Sequence, residues 1–207
     1  MKNKKLSKEN ENIRILNVLL ETACAEFGSA LEMLIACKGA DSINIANGYF
    51  QHAKDEYNHT HTFLSILSKY GKNSPTKISR KYRFNTNSVI TKGYVSTDGY
   101  LIETMSIKDF IAYVYTNELL AKESFDGILK LLRPHSDEGI QISKIMDDEL
   151  RHHGLAEKYF LKYYPRLQPW QLMFYRLRET LMNKSRKFYD KNFSKRGKRK
   201  RRRKVLK

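Results

Sequence analysis

The 207-residue sequence predicts an all-α protein built as two helical hairpins joined by one long crossover. Three observations lead to that fold class. Four long segments carry apolar residues at alternating spacings of three and four. Short connections join the first segment to the second and the third to the fourth, whereas about 35 residues separate the second from the third. The spelling Asp-Glu-x-x-His also occurs twice, at Asp55-Glu56-Tyr57-Asn58-His59 and at Asp148-Glu149-Leu150-Arg151-His152, both times within a helical stretch.

The first helix is expected from about Ser7 to Cys37, with a seam of Ile13, Leu16, Leu20, Ala23, Phe27, Ala30 and Leu34, and with Gly39 as its terminator. The second opens at Asp41 or Ser42 as N-cap and runs to about Tyr70, before Gly71. Its inner face reads Tyr49, His52, Glu56, His59, Phe63 and Ile66. The crossover occupies 71–106, with short extended pieces expected at Gly93-Tyr94-Val95 and Tyr100-Leu101-Ile102. The third helix begins after Ser106, with Asp109 completing an approximate capping box. Its seam is Ile111, Val114, Glu118, Ala121, Phe125, Ile128 and Leu132, and Pro134 closes it. The fourth starts near Ser136 or Asp137 with a seam of Ile142, Ile145, Glu149, His152, Ala156, Tyr159 and Tyr163, and ends at Pro165. A fifth, with Pro169 in its first turn, carries Trp170, Met173, Leu177 and Leu181. Residues 1–183 are read as one bundle domain and 184–207 as a basic, disordered tail.

Composition narrows the function classes. No stretch reaches the roughly 18 consecutive apolar residues that a membrane span needs. The charged start, Met1-Lys2-Asn3-Lys4-Lys5, precedes no signal-type apolar run, so a cytoplasmic protein is expected, with peripheral membrane attachment as the variant. Cys24 and Cys37 lie 13 positions apart on one predicted helix and cannot pair there. No Cys-x-x-Cys occurs, which excludes zinc ribbons and rubredoxin-type centres.

The two repeated motifs carry the chemistry. A Glu and a His three positions apart lie on one helix face, about 60° apart around the axis. Thirteen Glu and six His placed at random over 207 positions would give fewer than one such pair. One copy alone reads most simply as a surface pair. Both copies in phase with apolar seams, together with Glu118 in a third seam, argue for carboxylates driven inward. Burying them is costly unless cations pair with them. Glu26 is the expected contribution of the first helix, because it lies 30 residues before Glu56 as Glu118 lies 31 before Glu149. Glu21 and Glu123 are the runners-up. His52 shares the face of Glu56 and reads first as a hydrogen-bonded core histidine and second as an extra ligand. His61 and His153 read as outer or solvent-facing.

This pattern resembles the ferritin-like di-iron carboxylate superfamily over roughly residues 8–164, on Glu26, Asp55-Glu56-x-x-His59, Glu118 and Asp148-Glu149-x-x-His152. The resemblance implies a ferritin-like four-helix bundle in which Glu26, Glu56, His59, Glu118, Glu149 and His152 hold two iron ions, or one iron and one manganese. It implies that Glu56 and Glu149 bridge the ions. Asp55 would pair with His152 and Asp148 with His59, and Arg151 would stand among these outer partners. The second copy is spelled like the motif of the oxygen-activating branch: bacterial monooxygenase hydroxylases, acyl carrier protein desaturases and ribonucleotide reductase small subunits. Asn58 departs from the Arg that this branch often carries in the first copy. Tyr57, Tyr113, Tyr115 and Phe63 are expected near the ions. Glu118 and Tyr57 are the candidate catalytic residues, Tyr57 as a radical carrier, with core packing the plainer reading.

The implied activity is a di-iron, oxygen-dependent hydroxylase or oxidase. Its electron donor would be an external reductase, since the chain has neither a cysteine-rich electron-transfer module nor a glycine-rich nucleotide loop. The net charge of +17 points to the substrate. Fourteen of the 39 Lys and Arg and one of the 22 acids fall in 184–207, so that segment carries +13 and the rest of the chain +4. The run Lys198, Arg199, Lys200, Arg201, Arg202, Arg203, Lys204 suits a polyanion, either RNA or an anionic lipid surface. Transfer RNA is the first guess, because the superfamily contains a transfer-RNA-modifying hydroxylase. A second copy of the chain, as a homodimer, is a further expected partner. The alternatives are an iron- or peroxide-handling protein of ferritin or rubrerythrin type, and a non-enzymatic helical module that binds polyanions.

Overall fold

The computed structural model describes residues 2–72, 84, 99–166 and 177, with side chains from residue 11 onward. Five helices are present among them: α1 Lys2–Gly39, α2 Ile43–Lys72, the single turn α3 Leu101–Thr104, α4 Ile107–Leu132 and α5 Asp137–Tyr163. Chain contacts divide the molecule into two compact units, Met1–Phe160 and Leu161–Lys207. Of the second, the last residues of α5, residues 164–166 and the helical Leu177 are described. No helix among the described residues is long and apolar enough to cross a membrane.

Serine side chains start three of the four long helices. Ser42 Oγ accepts from Ile45 N at 3.4 Å, Ser106 Oγ from Asp109 N at 3.2 Å, and Ser136 Oγ from Gly139 N at 3.0 Å. Each satisfies a backbone donor that the first turn leaves unpaired. At the junction of α4 and α5 the chain turns tightly. Arg133 takes a positive φ of 66°, and a Cβ at Gly139 would run into the Arg133 carbonyl oxygen.

The four long helices share one core. Leu16, Leu19, Leu20 and Ala23 of α1 meet Phe63, Ile66 and Leu67 of α2, Phe125, Ile128 and Leu132 of α4, and Ile142 and Ile145 of α5. Pair contacts fix the direction of each helix. Cys37 Sγ donates to the Ala46 carbonyl at 3.5 Å and His59 meets Glu26, so α1 and α2 pack antiparallel. Tyr49 packs on Phe110 and Phe63 on Phe125, so numbers rise together and α2 and α4 run the same way. Asp55 meets His152 and Lys69 meets Glu138, which sets α5 antiparallel to α2.

The structure departs from the sequence expectations at several places. α1 begins at Lys2, and Leu34 is 47% exposed. The expected seam averages 3.5 residues, but a straight helix turns in 3.6, so the inner face drifts along a long helix. It passes onto Ala30, Met33 and Ala36, which are buried. Gly71 lies buried inside α2 rather than ending it. Tyr100-Leu101-Ile102 opens the helical turn α3 instead of an extended piece, with Leu101 N donating to Glu32 Oε2 of α1 at 2.8 Å. Gly93-Tyr94-Val95, nearly all of the expected fifth helix, and the tail lie outside the described residues.

Candidate metal centre

In the middle of this core the apolar lining gives way to carboxylates and imidazoles. Glu26 comes from α1, His52, Glu56 and His59 from α2, Glu118 from α4, and Glu149 and His152 from α5. All seven are buried, none more than 7% exposed. They form two groups, His52–Glu56–Glu118–His152 and Glu26–Glu56–His59–Glu149, each with one ligand atom per residue and all four atoms within 4.8 Å of one another. Two donors on opposite sides of an ion, each about 2.1 Å away, stand about 4.2 Å apart, so the spacing suits a small divalent cation. Glu56 belongs to both groups, whereas Glu149 belongs to one, although its Oε2 also lies 3.9 Å from His152 Nδ1.

The sequence-predicted residues are brought together closely. Glu26 Oε2 lies 3.3 Å and Glu149 Oε1 3.1 Å from His59 Nδ1. His152 Nδ1 lies 3.3 Å from Glu56 Oε1 and 3.9 Å from Glu118 Oε2. The outer nitrogens of the same two rings meet the aspartates crosswise: His59 Nε2 and Asp148 Oδ2 at 3.2 Å, His152 Nε2 and Asp55 Oδ2 at 3.2 Å. Such a contact favours a proton on Nε2 and leaves Nδ1 facing inward. Arg151, exposed at the surface, ties the two aspartates together, binding Asp148 directly and approaching Asp55 Oδ2 at 3.6 Å.

Three inward atoms, Glu118 Oε2, Glu149 Oε1 and His152 Nδ1, are buried without a hydrogen bond; the 3.1 Å approach of Glu149 Oε1 to His59 is too poorly aligned to be one. Orphaned buried acceptors are costly; a cation in the first group would satisfy Glu118 Oε2 and His152 Nδ1, and one in the second would satisfy Glu149 Oε1. The donor set therefore fits two divalent ions. Protonation follows the same crowding. Burial and the Glu56 charge push Glu26 well up, and likewise raise Glu149 to about 8. Burial would also raise Glu56, yet the imidazoles of His152 and His52 close beside it hold it well below the usual carboxylate range. Burial opposes charge on the imidazoles, but the carboxylates overcome it and lift His52 to about 10 and His59 to about 11. Without other cations, protons hold the carboxylates together.

Some candidates fall elsewhere. Tyr57 is 49% exposed and packs on His61 and Phe27, outside both groups. One step along α2 from Glu56 turns it about 100° away from the interior, so it is neither beside the buried ligand groups nor packed in the core. Phe63 is buried against Phe125, and Tyr115 against Phe160 and His153. Glu21 and Glu123 are exposed. The basic run Lys198 to Lys204 lies outside the described residues. His52, read from sequence chiefly as a core histidine, stands inside the first group with Nε2 3.0 Å from Glu56 and 3.3 Å from Glu118. Its position four residues before Glu56 was the available signal. Glu32, buried beneath α3, was missed because its partner comes from the crossover and its own position is off the apolar seam. No protein-family profile, curated protein or solved structure matches the chain.

Proposed function

We propose that the chain is a ferritin-like four-helix bundle that holds two iron ions and acts as an oxygen-dependent oxidoreductase of the hydroxylase or oxidase type. The observation that supports this reading most strongly is the pair of buried four-ligand groups sharing Glu56. Carboxylate and imidazole donors without thiolate suit iron or manganese. The two parallel helices α2 and α4, successive among the four long helices, agree with a single long crossover between two hairpins.

The protein's residues have separable tasks in this reading. Glu26, Glu56, Glu118 and Glu149 would hold the ions and balance their charge, Glu56 being common to both groups. Asp55 and Asp148 keep His152 and His59 in the tautomer that presents Nδ1 inward. The surrounding Phe63, Phe125, Ile111 and Ile142 exclude water. Bound iron would supply the one-electron exchanges with dioxygen that amino-acid side chains cannot. The basic segment 184–207 makes a polyanion, RNA first and an anionic lipid surface second, the proposed substrate or docking partner.

Rapid mixing of the anaerobically ferrous-loaded chain with oxygen tests the activity. The expected result is a single limited reaction at about two irons per chain, absent in Glu149→Ala. Continued uptake of iron far beyond that ratio would move the assignment to iron storage.

A further inference from the structure

The two ligand groups are not alike, and the difference is His52. The Glu26 group offers one imidazole and three carboxylates; the Glu118 group offers two imidazoles and two carboxylates. We propose that His52 is itself a metal ligand, a third imidazole that makes the two ion positions chemically unequal. The inference rests on the two-metal reading above.

Geometry sets His52 apart from a histidine that merely fills the core. Its Nε2 faces Glu56 Oε1 at 3.0 Å and Glu118 Oε1 at 3.3 Å, as close as His59 Nδ1 comes to the carboxylates of its own group. The ring stacks on His152 at 3.9 Å between centroids, tilted 25°, so the two imidazoles line one side of the same position. Two atoms of that same group, Glu118 Oε2 and His152 Nδ1, are buried with no hydrogen bond. A hydrogen-bonded His52 would leave both orphaned, whereas an ion held by His52, Glu56, Glu118 and His152 satisfies all four residues. His52 also forms part of the wall of a small, largely apolar cavity with Tyr49, Ile111, Val114, Leu155, Ala156 and Tyr159. That places the imidazole-rich position beside a cavity about the size of one water molecule.

Imidazole favours iron and zinc, while carboxylate is the better match for manganese. The His52 position should therefore take iron or zinc first, and the Glu26 position should be the more tolerant of manganese.

Zinc provides the test, because it reports ligands without redox chemistry. X-ray absorption on the full, unmodified chain loaded with zinc should show three imidazoles shared over two ions. Competitive zinc titration should resolve two unequal steps, and His52→Ala should weaken one of them by at least about tenfold while leaving the other in place. Two imidazoles over two bound ions, or titration steps that His52→Ala leaves unchanged or weakens equally, would overturn the proposal and leave the two-metal site standing. An unmodified chain that takes up fewer than two zinc ions would overturn both. The absorption measurement needs no variant, so a His52→Ala chain that fails to fold does not remove the test.

Discussion

At the scale of single residues, the aspartates preceding Glu56 and Glu149 each face an imidazole of the opposite helix. Besides Arg151, Asp148 meets the outer nitrogen of His59, and Asp55 that of His152. Replacing Asp148 by Asn keeps the shape but removes the charge that favours an Nε2 proton. Asp148→Asn should reduce zinc affinity by about 10- to 100-fold with little change in helix content; an affinity equal to that of the unmodified chain would show that the contact is incidental. Protonation gives a second prediction. His52 and His59 are raised from 6.5 to about 10 and 11, so the folded, metal-free chain keeps protons that the unfolded chain releases. Their stabilising contribution is complete below about 6.5 and is lost as pH climbs through 10 to 11. Glu149, raised to about 8, acts in the same direction between 4.5 and 8, while Glu56, held low, acts oppositely and only in acid. Ions must displace these protons. Zinc binding should therefore tighten with rising pH and release protons, as calorimetry in two buffers of different ionisation enthalpy reads directly; an affinity flat between about pH 6 and 8 would contradict the assigned protonation.

At the scale of helices, much was legible because local chemistry and packing agree. Ser42, Ser106 and Ser136 mark starts that depend only on neighbours three residues away. The inner face of α2 was readable residue by residue, since Tyr49, His52, Glu56, His59, Phe63 and Ile66 are all buried. Features set by distant partners were not readable. Leu34 lies on the drifting outer edge of a long helix, α3 depends on Glu32 of α1, and Gly71 continues a helix where a glycine usually ends one. Glycine 48 is a related case. A Cβ there would fall on the Tyr159 hydroxyl, which donates to the Asn44 carbonyl at 3.4 Å, so α2 approaches α5 closely at that point. Phe63, fully buried and stacked on Phe125 one turn beyond His59, anchors α2 to α4. Phe63→Ala should destabilise the fold by about 3–5 kcal/mol in denaturant unfolding. A loss below about 1 kcal/mol would mean that the core is looser than the contacts indicate.

At the scale of the molecule, charge and core separate along the sequence. The +13 segment 184–207 stands beside a body of +4, and the ligand clusters lie wholly within Met1–Phe160. A polyanion held by the basic run should therefore be lost without loss of metal. Replacing the seven bases from Lys198 to Lys204 by glutamine should flatten the salt dependence of RNA binding by up to about 5 in slope and leave metal content unchanged; an unaltered slope would mean that the run takes no part in binding. The central claim is that seven buried carboxylate and imidazole side chains meet because ions hold them. Metal content of the full chain after anaerobic ferrous loading and removal of excess tests it most directly. The account predicts about two irons per chain, falling sharply in Glu56→Ala, the residue common to both groups; a well-folded chain that retains no iron would contradict it.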